Sequence, residues 1–297
     1  MYDVIIVGGG AAGLTAAIYA SRYKMNTLVI AKEIGGGIVN THKVENWPGE
    51  KSISGIELMS KFEEQVRNLG VEIKEEEVRN IKKDKNFRVH TDDNEYEGKT
   101  LILAMGTQRR KLNIKGEDKL SGKGVSYCAT CDAAFFKDKT IAVIGGSDSA
   151  ARAAQICLEY AKKVYIIYRQ DRMRAEPALV EELEKNNKVE FIYNANVTEV
   201  IGNKFVEKVK LDIDKEVKLD GLFIEVGGTP AMVLATGLNI KTNEKGYITV
   251  DSEQKTNVPG VYAAGDITTG SGGFNQLVTA AAEGAIAAFS AYKFVKK

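Results

Sequence analysis

Apolar and polar positions along this chain follow one pattern twice. From Tyr2 to Arg22 the sequence YDVIIVGGGAAGLTAAIYASR gives a short apolar run, a glycine-rich turn and an alanine-rich segment. The same succession returns from Lys139 to Glu159 as KTIAVIGGSDSAARAAQICLE. The offset is constant, so Gly8 is matched by Gly145, Gly10 by Ser147 and Gly13 by Ala150. A second apolar run follows each copy, at Thr27–Ile30 and at Val164–Ile167. Short continuous apolar runs bounded by glycine read as buried strands, and the alanine-rich segments read as helices. Two strand–loop–helix–strand units predict an α/β fold with two Rossmann-like nucleotide-binding domains, each built on a parallel sheet.

Past Pro48 the pattern turns amphipathic over Gly55–Asn68, which predicts a helix, and then reads as strands from Val71 to Leu103. KTLILAMGT, Lys99 to Thr107, is a buried strand ending at Gly106. The polar segment Lys111–Gly116 reads as a crossing into a second domain. That domain ends near Gly227–Pro230 or a little beyond, by Lys241. The tail returns to an apolar strand, GVYAAGD from Gly260 to Asp266, and closes with a helix from Gln276 to about Phe294. The tail is read as completing the first domain. The expected division is therefore 1–113 with 242–297, and 114–241 inserted between them.

Composition narrows the function class. With 41 Lys+Arg against 40 Asp+Glu the net charge is +1, which gives no bulk attraction to nucleic acid or to an anionic membrane. No apolar run reaches the ~18 residues of a membrane span, and the start MYDVIIVGGG lacks the basic region of a secretory leader. Three cysteines in 297 residues do not make a disulfide-dense scaffold, so a reducing, cytoplasmic setting is expected.

Gly8-Gly9-Gly10-Ala11-Ala12-Gly13 fits G-x-G-x-x-G between a strand and a helix. The first glycine permits the tight turn, the second lets backbone approach a pyrophosphate, and the third lets helix and strand pack closely. The helix N-terminus then offers free N–H groups to the phosphates. Glu33, after the second strand, is placed either to reach a ribose hydroxyl or to stand as a solvated glutamate. In the second loop Ser147 replaces the middle glycine, so its hydroxyl either donates to a ligand or its bulk pushes one away. After the next strand, Tyr168-Arg169-Gln170-Asp171-Arg172-Met173-Arg174 supplies Arg169 and Arg174 where arginines pair with a 2′-phosphate. The competing reading is a solvated loop of mixed charge.

GVSYCATCDAAFF, Gly124 to Phe136, holds Cys128 and Cys131 two residues apart, with Asp132 directly after. Zinc needs about four ligands, usually as two Cys/His pairs. The rest of the chain offers only Cys157, read as a small core residue, and His42 and His90, both distant in sequence. No metal site is expected. A two-residue loop also makes a poor structural staple, because it constrains the unfolded chain little. That leaves a dithiol/disulfide couple, in which one thiolate attacks and the other resolves the mixed disulfide. Asp132 is a candidate proton shuttle for that thiolate, or else a helix-capping aspartate.

These residues together resemble the low-molecular-weight thioredoxin reductases, and the resemblance covers the whole chain. Its most specific element is C-A-T-C-D just before the second nucleotide loop. VENWPG, Val44 to Gly49, is similar to the family's flavin-contacting segment, with Asn46 as the implied contact. The resemblance also implies flavin contacts at the glycine pair up to Gly36, at the Gly106 turn, at Asp266 and around Asn275 and Gln276. Departures are present. Gly37 stands where the family usually has glutamine after the flavin-side glycine pair, and Asn275 stands where it has arginine. The second loop usually carries three consecutive glycines, and the arginine motif is usually His-Arg-Arg-x-x-x-Arg. By these marks FAD binding is expected, and NADPH is the expected donor with its site altered.

The resemblance further implies an activity. Electrons would pass from NADPH to FAD, to the Cys128/Cys131 disulfide, and on to thioredoxin or a glutaredoxin-like small protein. Cys131 would face the flavin, Cys128 would attack the substrate, and Asp132 would supply or take the proton. Dithiol and nicotinamide site share one domain yet must both meet one flavin. Rotation of that domain about links near Lys111–Gly116 and Lys241–Gly246 is therefore implied, as is a homodimer. Rival readings are the same relay fed by NADH, ferredoxin or reduced deazaflavin, a dithiol oxidase, and a nucleotide sensor without catalysis.

Overall fold

The structure is a computed structural model that describes residues 1–41, 44–230 and 236–296. His42 lies outside the described residues. In chain order the first part comprises β1 (Tyr2–Gly9), α1 (Ala11–Arg22), β2 (Thr27–Ile34), α2 (Gly55–Asn68), β3 (Glu72–Glu75), β4 (Asn80–Lys83), β5 (Phe87–His90), β6 (Glu95–Leu103) and β7 (Thr107–Arg109). The middle comprises α3 (Glu117–Leu120), β8 (Val125–Ser126), α4 (Ala129–Asp132), β9 (Thr140–Ile144), α5 (Asp148–Leu158), β10 (Lys163–Tyr168), α6 (Pro177–Glu184), β11 (Val189–Tyr193), β12 (Val197–Ile201), β13 (Lys208–Leu211), β14 (Glu216–Lys218) and β15 (Gly221–Ile224). After β16 (Gly228–Pro230) the chain adds β17 (Val261–Ala263) and α7 (Leu277–Val295).

Two compact units result: Met1–Gln108 with Pro230–Lys297, and Arg109–Thr229. Both crossings lie earlier in the chain than the 113/114 and 241/242 divisions expected from sequence, and apolar burial explains the difference. Leu112 and Ile114, in the segment read as a polar crossing, pack against the core formed by Leu120, Val125 and Leu222 of the second unit. Leu238 and Ile240 pack with Ile81 and Phe87 in the core of the first. The two crossings themselves, β7 and β16, form a two-stranded sheet.

In the first unit the strand order is β3-β2-β1-β6-β5-β4. β1 runs parallel to β2 and β6. β5 pairs antiparallel with β6 up to Gly98, and β17 takes the C-terminal part of β6 in parallel, from Leu101 to Leu103. The tail of the chain is thereby stitched to the strand that ends beside the glycine loop. α1 and α7 pack face to face through Ala12, Ala16, Ala287, Ala288 and Ala291. Small side chains let the two helices approach closely. A Cβ added at Gly284 of α7 would lie 2.1 Å from the carbonyl oxygen of Ala12. α2 forms where its polar/apolar pattern demands it. Ser54 accepts the Glu57 N–H at 3.2 Å, a cap that contributes about 1 kcal/mol, and Leu58, Met59 and Val66 face inward.

The second unit has a five-stranded parallel sheet, β11-β10-β9-β15-β8, and a three-stranded antiparallel meander, β12-β13-β14. α5 covers the parallel sheet with Ala150, Ala151, Ala154 and Cys157 against Ile141, Val143 and Phe223. Cys157 is therefore a core residue, and burial pushes its thiol well above the ordinary range.

Candidate active site

Each glycine loop is shaped by what cannot fit beside it. Gly8 has φ +119° and a Cβ there would stand 2.2 Å from the Ala104 oxygen, which brings β1 and the end of β6 together. A Cβ at Gly13 would lie 1.9 Å from the Gly8 oxygen, so the first turn of α1 can pack onto the loop only with glycine there. Gly10 differs. Its nearest neighbour would be the Cα of Gly36 at 3.9 Å, so the loop presents bare backbone with room in front of it. No side chain caps α1 and its first turn holds no acid. Free N–H groups, the positive end of the helix dipole and an uncrowded glycine surface fit a dinucleotide pyrophosphate.

The tail brings further groups to α1. Gly265, at φ +81°, fits between Ala12 and Ala280, which places Asp266 beside the first turn of α1 and the start of α7. Asp266 is half-buried without a hydrogen-bond partner among the described residues, and burial raises its carboxyl above the ordinary range. Gln276 opens α7 through a reciprocal capping box with Thr279, and its Oε1 accepts from Asn46 Nδ2 at 3.1 Å. The structure therefore joins Asn46 and Gln276, 230 positions apart. Glu33 is exposed on β2, and Asn275 is exposed before α7. Gly37 and Gly106 have open space where a Cβ would be. A partnerless carboxylate next to an uncapped helix N-terminus fits the hydroxyls and phosphates of FAD.

In the second unit Gly145, at φ +142°, sits against the Glu225 oxygen and 3.1 Å from the methyl of Ala150, measured from the Cβ it lacks. Ser147 opens α5 without capping it, and its hydroxyl has no partner among the described residues. The serine therefore keeps a donor free for a ligand. The Arg174 N–H donates to the Gly146 oxygen at 2.7 Å, which ties the arginine segment to this loop. Arg169 is exposed just past β10. Two features crowd the loop. The Tyr168 ring occupies the space beside Gly146 and donates from its hydroxyl to Gln170 Oε1 at 3.1 Å. Asp148 puts a carboxylate in the first turn of α5, where it accepts the Glu176 N–H at 2.9 Å.

Cys128 and Cys131 are joined in a disulfide, with their Cα atoms 5.3 Å apart. Cys128 begins the short helix α4, and its sulfur accepts the Cys131 N–H at 3.2 Å. That donor favours negative charge on the Cys128 sulfur when the pair is reduced. Cys131 is exposed and Cys128 half-buried. Asp132 accepts from the Ser126 hydroxyl at 2.6 Å, so its side chain is not a helix cap. Ala129 and Ala133 of this turn share a core with Ala150 and Ala154 of α5. The redox pair thus rides on the helix whose N-terminus forms the second nucleotide loop.

Residues 2–284 match the pyridine nucleotide-disulphide oxidoreductase family. The chain belongs to that family. Within it the chain groups with the low-molecular-weight thioredoxin reductases. It is 42% identical to a thioredoxin reductase of Listeria innocua over 305 aligned positions, covering 100% of this chain and 95% of the relative. Its fold superposes on a Lactococcus lactis thioredoxin reductase with a TM-score of 0.96 at 38% identity, covering 100% of this chain and 99% of the other. A thioredoxin reductase of T. acidophilum gives 0.92 at 43% identity, with 98% of each chain covered. Family membership makes the protein a flavin- and pyridine-nucleotide-linked disulfide oxidoreductase.

Sequence reading missed three side chains that the structure sets beside the proposed chemistry. Ser126 holds Asp132. Glu117, fully buried, accepts from the Leu112 and Ile114 N–H groups and from the Tyr127 hydroxyl at 2.6 Å, anchoring the residue before Cys128. Burial, followed by that bond, drives the Tyr127 phenol upward. Glu283, buried in α7, accepts from the Gly265 N–H at 2.7 Å and the Thr268 hydroxyl at 3.0 Å, bracketing Asp266 in sequence. Glu283 left one signal, an acid inside the alanine-rich pattern of the last helix, whereas Glu117 sits in a charged stretch that reads as solvent-facing.

Proposed function

We propose that the protein is an NADPH-dependent thioredoxin-disulfide reductase, with FAD in the first unit and the nicotinamide nucleotide in the second. The disulfide at Cys128–Cys131, packed on the helix that begins at the second nucleotide loop, carries the reading. When bound, FAD supplies a two-electron relay between nucleotide and disulfide. Gly8, Gly10, Gly13, Gly36, Gly37 and Gly106 shape its bed, with Glu33, Asn46, Asp266, Asn275 and Gln276 as polar contacts. Gly145, Ser147, Ala150, Arg169 and Arg174 hold the nucleotide, the arginines pairing with its 2′-phosphate.

The protein half-reaction follows from thiol–disulfide exchange. With the pair reduced, the Cys128 thiol gives its proton to Asp132 and the thiolate attacks one sulfur of the substrate disulfide. The substrate S–S bond breaks, a mixed disulfide forms, and Asp132 returns the proton to the departing sulfur. Cys131 then attacks Cys128, which re-forms the enzyme disulfide and frees the second substrate thiol. One dithiol is oxidised and one disulfide reduced. Because one unit carries both the dithiol and the nucleotide loop, the reading includes rotation of that unit about its crossings. It also includes a cytoplasmic setting, which keeps thioredoxin's thiols reduced, and a homodimer. Exposed Tyr19, Ile286, Phe289 and Phe294 on α1 and α7 offer apolar surface for self-association.

Steady-state reduction of a thioredoxin disulfide by the flavin-loaded enzyme, with NADPH and NADH compared, tests the proposal. NADPH is expected to bleach the flavin and sustain turnover. No bleaching by NADPH would remove the donor assignment. A second reading, the same relay fed by NADH, ferredoxin or a reduced deazaflavin, is favoured by Tyr168 and Gln170, which stand where the arginine motif has histidine and arginine. Bleaching by one of those donors alone would establish it.

A further inference from the structure

We propose that Ser126 is a positioning residue for Asp132, keeping the proton carrier aligned with Cys128 in both of its protonation states. The inference rests on the reading of Asp132 as proton carrier given above. Ser126 ends β8, is buried, and pairs with Phe223 of the central sheet, so its backbone is fixed. Its hydroxyl oxygen has three neighbours: Asp132 Oδ2 at 2.6 Å, the Cys128 N–H at 3.0 Å and the Cys128 carbonyl oxygen at 3.3 Å.

A hydroxyl has one hydrogen to donate and two lone pairs. The Cys128 N–H uses one lone pair. While Asp132 is ionised, the hydrogen goes to Oδ2, at the 2.5–2.7 Å distance typical of a charge-assisted O–H···O⁻ bond. When Asp132 takes the proton of the Cys128 thiol onto Oδ2, it becomes the donor to the serine oxygen. The serine hydrogen then turns to the Cys128 carbonyl. Oδ2, the serine hydroxyl and the Cys128 N–H all keep a partner and no heavy atom moves, and reversing the same hydrogen shifts releases the Oδ2 proton to the leaving substrate sulfur. The same hydroxyl grips the main chain of Cys128 on both sides of its Cα, which couples the carrier to the attacking residue. A valine or alanine here would leave the Cys128 N–H without its partner and Asp132 free to swing away.

The experiment compares flavin-loaded Ser126→Thr, Ser126→Val and Asp132→Asn enzymes. Threonine and valine have nearly the same volume and differ by the hydroxyl, so a packing defect falls on both alike. Stopped-flow bleaching by the nucleotide serves as the internal control, and reoxidation by a thioredoxin disulfide is the readout. Ser126→Val is expected to lower kcat for disulfide reduction by about tenfold, the scale of one hydrogen bond to a charged group, with KM for the disulfide unchanged. Ser126→Thr is expected to restore it. Equal rates for the valine and threonine variants, with Asp132→Asn slow, would overturn the role of Ser126 and leave Asp132 standing. Full activity in Asp132→Asn would overturn both.

Discussion

A methyl group placed at Gly10 meets nothing nearer than 3.9 Å, whereas one placed at Gly13 falls 1.9 Å from a carbonyl oxygen. Both positions belong to one motif, yet they ask for glycine for different reasons. Gly10 leaves room for a ligand, and its φ of −82° is open to any residue. Gly13 leaves room for the protein itself. Gly10→Ala apoprotein is therefore expected to melt as the wild type does, within ~0.5 kcal/mol, while losing most of its flavin. Gly13→Ala is expected to lose both flavin and stability. Thermal melts of the apoproteins, paired with flavin absorbance after reconstitution, separate the two cases. If Gly10→Ala retained flavin fully, the loop would not be the pyrophosphate seat. Cysteine chemistry divides in the same way. Reduced enzyme is expected to take up two equivalents of an alkylating reagent quickly, at Cys128 and Cys131. The third is expected only after denaturation, because Cys157 is buried and its thiol is held protonated. Uptake of three equivalents by folded protein would contradict that core placement. These residues were legible in sequence because spacing alone reveals them. Ser126 was not, since its partner is fixed only once β8 and α4 face each other.

At the scale of elements, regular patterns carried over and polar strand ends did not. α2 spans the same residues as its amphipathic pattern, because a cap and an inward stripe both specify it. β2 runs on to Ile34, past the last of the apolar run at Ile30, with exposed Lys32 and Glu33 inside it. Backbone pairing to Glu75 of β3 and to Gly9 of β1 sustains the strand where side-chain hydrophobicity has ended. α7 holds a buried acid that no periodicity would forecast. Burial raises the Glu283 carboxyl, the Gly265 and Thr268 bonds partly offset this, and Asp266 adds repulsion. For a carboxylate raised on folding, the folded chain binds its proton more tightly than the unfolded chain does. Its stabilising contribution is thus present below the ordinary carboxylate range and lost as pH rises through the raised value. Glu283→Gln can still accept both hydrogen bonds and never ionises. Apoprotein melts from about pH 4 to about pH 8 should fall less steeply for Glu283→Gln than for wild type. Parallel curves would show that Glu283 does not set this slope. Gly284→Ala is a harsher change. Its Cβ would lie 2.1 Å from backbone, so α7 must lift from α1 at a cost of about 1–3 kcal/mol, read as a lower melting temperature.

For the whole molecule, the proposed rotation of the second unit would act at the two crossings. Sequence put the links at the polar stretches Lys111–Gly116 and Lys241–Gly246; in the first of these Leu112 and Ile114 are half-buried against the core of the second unit. Glu117 fixes the N–H groups of Leu112 and Ile114 and so binds the first crossing firmly to the second unit just past Arg110. The rotation proposed above would then fall on the short stretch around β7 and β16. Gly227 borders it at φ +88°, with nothing within 4 Å of where a Cβ would be and its carbonyl accepting the Arg110 N–H. Alanine there costs about 1 kcal/mol of backbone strain without a clash, and it narrows the angles that residue can visit. If rotation about these strands lets the dithiol and the nucleotide take turns at the flavin, Gly227→Ala should slow repeated turnover several-fold. The first bleaching of the flavin, or the first reoxidation by its own disulfide, should keep its wild-type rate in whichever arrangement the variant retains. Single-turnover and steady-state rates measured on the same flavin-loaded preparation make the comparison. Both falling together, in step with a lower melting temperature, would place the damage in folding and remove Gly227 from the hinge.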